Sequence, residues 1–166
     1  PEAQRFFGKI VKEHPESPLA PSAKAFLVEL LLRDEVSGKT RSEAIQEYKT
    51  LLRDHPQSPN ARRAEWRIAD LYLKQGALQE AQAFYENAMA HSVNLPFDSK
   101  RALLGLGYTF MAMGKWSEAE HAFANVRKRS EDEQLLQGAT LGLAHALFRE
   151  ERFFEAQPIY NLSYQR

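Results

Sequence analysis

The chain has 166 residues, 43% hydrophobic and 27% charged, which is enough for one globular domain and outside the composition of a disordered tail. Its 22 basic and 22 acidic residues cancel to a formal net charge of zero, so it lacks the basic excess that holds a nucleic-acid backbone, and nucleic acid is not an expected partner. The absence of cysteine removes disulfides, thiol nucleophiles and thiolate metal sites, and the longest apolar run, residues 25–32, is broken by Glu29 and falls short of a membrane span.

Residue 1 is proline and no charged-then-apolar leader opens the chain, so the sequence reads as a portion of a longer protein. The first expected helix, 2–13, carries Glu2-Ala3 followed by Phe7. It ends in Lys12-Glu13-His14-Pro15-Glu16-Ser17-Pro18, where a capping serine precedes a proline that suits the start of the next helix, 19–35. A four-residue insertion near Val36-Ser37-Gly38-Lys39 leads to a third helix, 41–54, with Thr40-x-x-Glu43 as its capping box. The turn Arg53-Asp54-His55-Pro56-Gln57-Ser58-Pro59 then nearly repeats the earlier one and opens a helix at 59–75. Gly76 stops that helix before the next, 77–91, and Gly114 divides helices 98–113 and 115–129 in the same way. Ser130-x-x-Glu133 is a second capping box, for 132–149. In the last helix, 151–164, Pro158 removes a backbone donor and predicts a kink or a late start. No strand is expected.

A repeat underlies this order. Glu-Ala followed by an aromatic recurs at Glu2, Glu43, Glu80, Glu118 and Glu155, in steps of 41, 37, 38 and 37. Eleven residues before each of the last three glutamates stands a small residue, Ala69, Gly107 or Ala144, with Tyr72, Phe110 or Leu147 three positions later. The equivalent in the first full unit is Val28, which places the insertion. Physically this is one helical hairpin per unit: small residues let two backbones approach, and the aromatic packs onto the next unit. A single hairpin cannot bury its apolar face, whereas a stack can.

Trp66, Ile68, Ala69, Tyr72, Ala81, Tyr85 and Ala88 match the order of large and small positions in the tetratricopeptide repeat, and the chain resembles that family over essentially its whole length. The resemblance implies an all-α, right-handed α-solenoid of tetratricopeptide-like helical hairpins: a half-unit at 1–17, then units at about 18–58, 59–97, 98–131 and 132–166. Units of 37 to 38 residues with two Pro-x-Ser-Pro turns are similar to repeats of Gram-negative cell-envelope proteins, including the periplasmic factor of the Tol-Pal system and the outer-membrane assembly lipoprotein. That likeness implies a bacterial, periplasmic or outer-membrane-associated setting.

Side chains suited to chemistry all have plainer roles. His14 and His55 sit at one place in a repeated turn, where they cap helix ends, and no His-Glu-x-x-His spacing marks a metal site. Gly105-Leu106-Gly107 lies within a helix and not in a phosphate loop, no Gly-x-Ser-x-Gly elbow is present, and Asn161-Leu162-Ser163 is a sequon in a helical context. No cofactor and no catalysis are expected.

The informative residues are those on the open face of the first helices, which lines the concave surface of such a stack. They are Arg63, Arg67, Asp70 and Lys74; then Arg101, Gly105, Tyr108 and Ala112; then Gly138, Gly142, His145 and Arg149, with Met111 and Phe148 adding apolar contact. Five cations against one carboxylate point to an acidic or carboxylate-bearing peptide or helix of another protein, with the three glycines leaving room for its backbone. The expected function is a non-catalytic interaction scaffold; the alternative is the regulatory or substrate-recruiting arm of a larger enzyme. Phe6, Phe7 and Ile10 at one end, and Phe153, Phe154, Ile159, Tyr160, Leu162 and Tyr164 at the other, look unfinished and are expected to self-associate.

Overall fold

The computed structural model describes residues 2–34, 38–91 and 96–164, and among them the chain forms nine α-helices and no strand. These are α1 (Glu2–Glu13), α2 (Ala20–Asp34), α3 (Gly38–Asp54), α4 (Pro59–Gln75), α5 (Leu78–His91), α6 (Pro96–Ala112), α7 (Trp116–Arg129), α8 (Glu133–Arg149) and α9 (Phe153–Tyr164). Every expected helix is present with its ends within three residues. The centre of the expected insertion, 35–37, lies outside the described residues. The chain divides into two compact units, Pro1–Leu71 and Tyr72–Arg166.

In the first unit α2 packs against both α1 and α3. Its core is built from Val28, Ala44, Tyr48, Leu51, Ala64, Ile68 and Ala69, so the small-residue register is buried where the repeat requires it. The Phe7 ring of α1 lies 4.5 Å from the Phe26 ring of α2, the expected packing of a second-helix aromatic onto the next unit. The two His-Pro turns match bond for bond. His14 N–H donates to Ile10 O and His55 N–H to Leu51 O, each at 3.0 Å, and Ser17 and Ser58 N–H then donate to the histidine carbonyls at 3.0 and 2.9 Å. It is thus the histidine backbone that closes each helix. Ser17 Oγ accepts from Leu19 N–H at 3.2 Å and Ser58 Oγ from Asn60 N–H at 3.3 Å, as expected of capping serines, although Pro18 stays in the turn and α2 begins at Ala20. Helix α3 starts at Gly38, two residues ahead of Thr40, which lies buried in its first turn.

In the second unit α6 packs against α5, α7 and α8, and α8 against α7 and α9. The Glu-Ala alanines Ala81, Ala119 and Ala156 are buried, as are Tyr85 and Phe123. Each of these aromatics reaches the first helix of the following hairpin: Tyr85 fills the space where Gly105 lacks a side chain, and Phe123 is wedged between Gly107 and Gly142. Full burial of such a ring contributes about 1.5 to 3 kcal/mol.

First helices in this unit end in one way three times. Ala77 N–H donates to Tyr72 O, Lys115 N–H to Phe110 O and Arg152 N–H to Leu147 O, at 3.0, 2.9 and 3.0 Å. The residue before each donor is left-handed: Gly76 (φ 78°), Gly114 (φ 75°) and Glu151 (φ 62°). The third lacks the glycine that the other two share.

One expectation needs correcting. Ser130 ends α7, its N–H donating to Val126 O, while the cap of α8 is Asp132, whose carboxylate accepts from Leu135 N–H at 2.9 Å. The last helix makes the late start expected of it, at Phe153, and then runs through Pro158 without a break. The carbonyl that loses its partner there belongs to Phe154, a residue 95% exposed. The turn before α9 is locked by Arg152, whose guanidinium meets both carboxylate oxygens of Glu155 at 2.8 Å, Glu150 at 3.0 Å and Glu120 of α7 at 2.5 Å.

Candidate functional site

The first unit holds a cleft of about 250 Å³ between α2 and α4. Its walls come from Ser22, Phe26 and Glu29 of α2, Asn60, Arg63, Trp66 and Arg67 of α4, and Tyr48 of α3. The 3- and 4-residue spacings within α2 and α4 put these side chains on one face of each helix.

The polar contacts cross between helices. Glu29 Oε1 accepts from Tyr48 OH at 2.6 Å and from Arg67 Nε at 3.0 Å, so one carboxylate oxygen ties α2 to both α3 and α4. Burial, reinforced by the hydrogen bond to the Glu29 carboxylate, holds the Tyr48 phenol well above the ordinary tyrosine range. The Arg67 guanidinium also stacks over the Trp66 ring, 4.3 Å from its centroid. Asn60 Nδ2 donates to Ser22 Oγ at 2.8 Å. Arg63 is exposed on the rim, Asp70 is half-buried further along α4, and the Phe26 ring is 42% exposed.

The expected residues of the second unit are spread over several contacts. Tyr108 OH donates to Gly138 O at 3.0 Å and its ring meets Phe123 edge-on at 5.1 Å, which joins α6 to α8. Burial raises the Tyr108 pKa. His145 packs edge-on against Tyr160, Phe148 against Phe153, and the Arg149 guanidinium over Trp116 at 4.6 Å. Lys74 is exposed, whereas Arg101 and Met111 are half-buried. Of this set, Tyr108 (38% exposed) and Phe148 (50%) offer the most aromatic surface.

Two inferences drawn from spacing change. The glycines leave no room for a ligand: a Cβ at Gly105 would overlap the Tyr85 ring, one at Gly142 would lie 2.5 Å from Phe123 Cζ, and one at Gly138 would lie 3.2 Å from Tyr108 Oη. Their space belongs to the chain's own aromatics. The basic character of α4 is also partly answered internally, because Arg67 is paired with Glu29. Sequence reasoning missed Glu29, Tyr48 and Phe26. The signal for Glu29 was present, since it stands 41 residues before Asp70, the same step that relates Val28 to Ala69 in the first helices of the first two full units.

Among the described residues no three His, Cys, Asp or Glu side chains come together as a metal site, and no helix is long and apolar enough to cross a membrane.

Comparison with known proteins places this geometry. No curated protein matches the sequence. Solved structures match over nearly the whole chain. MamA (41-end) from Desulfovibrio magneticus RS-1 superposes with a TM-score of 0.77 at 15% identity, covering 99% of this chain and 83% of that one. BtubC from P. vanneervenii gives 0.83 at 13% identity, covering 99% and 71%. The kinesin light chain TPR-like repeats of Podosopora anserina give 0.74 at 16% identity, covering 98% and 82%. At such identities the likeness is one of fold, an α-solenoid of tetratricopeptide-type hairpins. Two family models, both described as tetratricopeptide repeat, match residues 37–90 and 72–139. The helical hairpins between residues 37 and 139 are therefore tetratricopeptide repeats.

Proposed function

We propose that this protein is a non-catalytic interaction scaffold whose first-helix faces capture an acidic peptide segment or helix of another protein. The observation that supports the reading is the α2 and α4 cleft, which Arg63 and Arg67 line together with Glu29 beside the exposed Phe26 ring. A carboxylate side chain of the ligand meets the two guanidinium groups and a neighbouring apolar side chain covers Phe26. Lys74, Arg101, Tyr108, Met111, His145, Phe148 and Arg149 form the corresponding face of the second unit in this proposal, and the repeats from 18 to 166 act as one array. Tetratricopeptide repeats are generally protein-binding scaffolds, which supports a protein ligand over a small molecule. The cell-envelope setting rests on the 37- to 38-residue repeat and the paired Pro-x-Ser-Pro turns alone.

The test is fluorescence anisotropy with labelled acidic, neutral and basic peptides of matched apolar content. The acidic peptide should bind best and weaken as salt rises, since screening shortens the reach of the rim charges. Arg63→Glu, on an exposed residue, should lower that affinity at least tenfold with helicity unchanged. Equal binding of the basic peptide, or binding indifferent to both salt and Arg63→Glu, would overturn the reading.

A further inference from the structure

The α2 and α4 cleft is built at repeat positions that the second unit fills in another way. Phe26 and Arg67 hold the same place in their hairpins, where the next two first helices have Gly105 and Gly142. Those glycines admit the rings of Tyr85 and Phe123. Tyr48, the equivalent ring of the first unit, is buried without such a glycine and gives its hydroxyl to Glu29. Stacking of hairpins therefore does not call for an arginine at 67, and its side chain lines an open cleft.

Two contacts within the chain orient the Arg67 guanidinium. Nε donates to Glu29 Oε1 at 3.0 Å, and the planar face lies over the Trp66 ring. Neither contact uses the edge that carries Nη1 and Nη2, the fork that matches two oxygens of one anion. Arg63 stands one turn earlier on α4, exposed at the rim. From α2, Ser22 Oγ accepts from Asn60 Nδ2 at 2.8 Å, which leaves its own hydroxyl proton to donate. Donors thus come from both walls, and among the described residues of the lining Glu29 alone carries a carboxylate.

This set is richer in donors and positive charge than a side-chain carboxylate can use. A carboxylate brings two oxygens and one negative charge, whereas a phosphate monoester brings three terminal oxygens and a charge of about −1.5 to −2 near neutral pH. The phosphate also competes with Glu29 for Arg67 on better terms than a second carboxylate does. The exposed Phe26 ring beside these donors gives a peptide, and not a free phosphate, a further surface to cover.

We propose that the group this cleft selects is a phosphorylated serine or threonine side chain of the partner segment, its phosphate held by the Nη pair of Arg67, by Arg63 and by the Ser22 hydroxyl. A short phosphorylated side chain keeps the neighbouring residue of the segment within reach of Phe26. The inference rests on the reading of the cleft given above and narrows its ligand from an acidic to a phosphorylated segment.

Three labelled peptides, identical but for serine, aspartate or phosphoserine between two leucines, are each titrated with the full 166-residue chain and followed by anisotropy. The phosphoserine peptide should bind tighter than the aspartate peptide by about tenfold or more, the effect of one further charge-assisted hydrogen bond, and the serine peptide should bind weakest. Arg67→Lys keeps the charge but removes the fork, so it should bring the two acidic peptides to within about threefold of each other. Ser22→Ala, on an exposed position, should weaken the phosphoserine peptide alone. Equal binding of the aspartate and phosphoserine peptides overturns this inference and leaves the acidic-segment reading standing, whereas binding of neither overturns both. A preference for phosphoserine that survives both substitutions overturns the inference too. So does inorganic phosphate that displaces the label as readily as unlabelled phosphopeptide, or binding to phosphatidic acid vesicles that Arg67→Lys abolishes, because the site would then serve a free anion or a lipid headgroup.

Discussion

Gly142→Ala isolates the close packing that joins successive hairpins. A Cβ at residue 142 would stand 2.5, 2.6 and 2.8 Å from Cζ, Cε1 and Cε2 of Phe123, against the 3.5 to 4.0 Å at which carbon atoms ordinarily rest. The ring would have to retreat by about 1 Å. It cannot move freely, because it is fully buried and its Cε1 already lies against Gly107, where a Cβ would stand only 2.7 Å away. Overpacking of this kind costs about 1 to 3 kcal/mol, and a wedged ring belongs at the upper end. Replacing glycine by alanine in a helix returns about 1 kcal/mol, which leaves a net loss of about 1 to 2 kcal/mol. Urea unfolding followed by circular dichroism should show a midpoint lower by about 0.5 M at unchanged slope. Gly8→Ala in α1 is the internal control: nothing lies within 4 Å of its Cβ, so only the propensity gain remains and helicity should rise. Phe123→Leu should relieve the clash, so the double variant should lose less than the sum of the two single losses. A Gly142→Ala protein with a midpoint at or above the parent's would refute the wedge.

Glu151→Gly should raise stability by about 0.5 to 1 kcal/mol, since a side chain in the left-handed region costs about 1 to 2 kcal/mol and glycine's extra unfolded entropy offsets part of that; Glu151→Ala should give no such gain in a thermal melt. The Glu155 carboxyl is held below its ordinary 4.5 by hydrogen bonds from Arg152, so its contribution to stability is present above that pH and is lost as pH falls through the folded value. A carbon-detected NMR titration should therefore find Glu155 protonating late on acidification, and Arg152→Gln should return its midpoint upward. Tyr48→Phe removes a hydrogen bond to a carboxylate and should cost about 1.5 to 3 kcal/mol in chemical denaturation, much less when Glu29 is already Gln. In an alkaline spectrophotometric titration the same substitution should remove a phenol that stays protonated well above pH 10.

The helices were legible because one pattern is written repeatedly: alanine at the hairpin contact, an aromatic four residues on, glycine where the first helix stops. The third stop escaped notice because Glu151 adopts by tertiary constraint the conformation that Gly76 and Gly114 adopt freely, and a glutamate carries no mark of it. At Ser130 two capping residues lay two positions apart, and the backbone chose Asp132. Spacing also told which face Gly105 and Gly142 occupy but not what stands opposite, since Tyr85 and Phe123 arrive from other helices. The candidate site was half read for the same reason. Arg63 and Arg67 are visible along α4 alone, but the charge they present depends on Glu29, which reaches them from α2.

That pairing sets a condition on any ligand. The carboxylate of Glu29 is a tethered rival for Arg67, held 3.0 Å from Nε at an effective concentration that no free anion matches. A passing acetate or a lone aspartate therefore gains little by approaching the cleft. A segment that also covers Phe26 and engages Arg63 can prevail, because its several contacts arrive together. For the ligand proposed above, the internal ion pair would act as a threshold, favouring an extended acidic sequence over isolated charge. When such a segment does draw Arg67 aside, Glu29 keeps only its bond to Tyr48, so occupancy of the cleft is felt in the packing of α3.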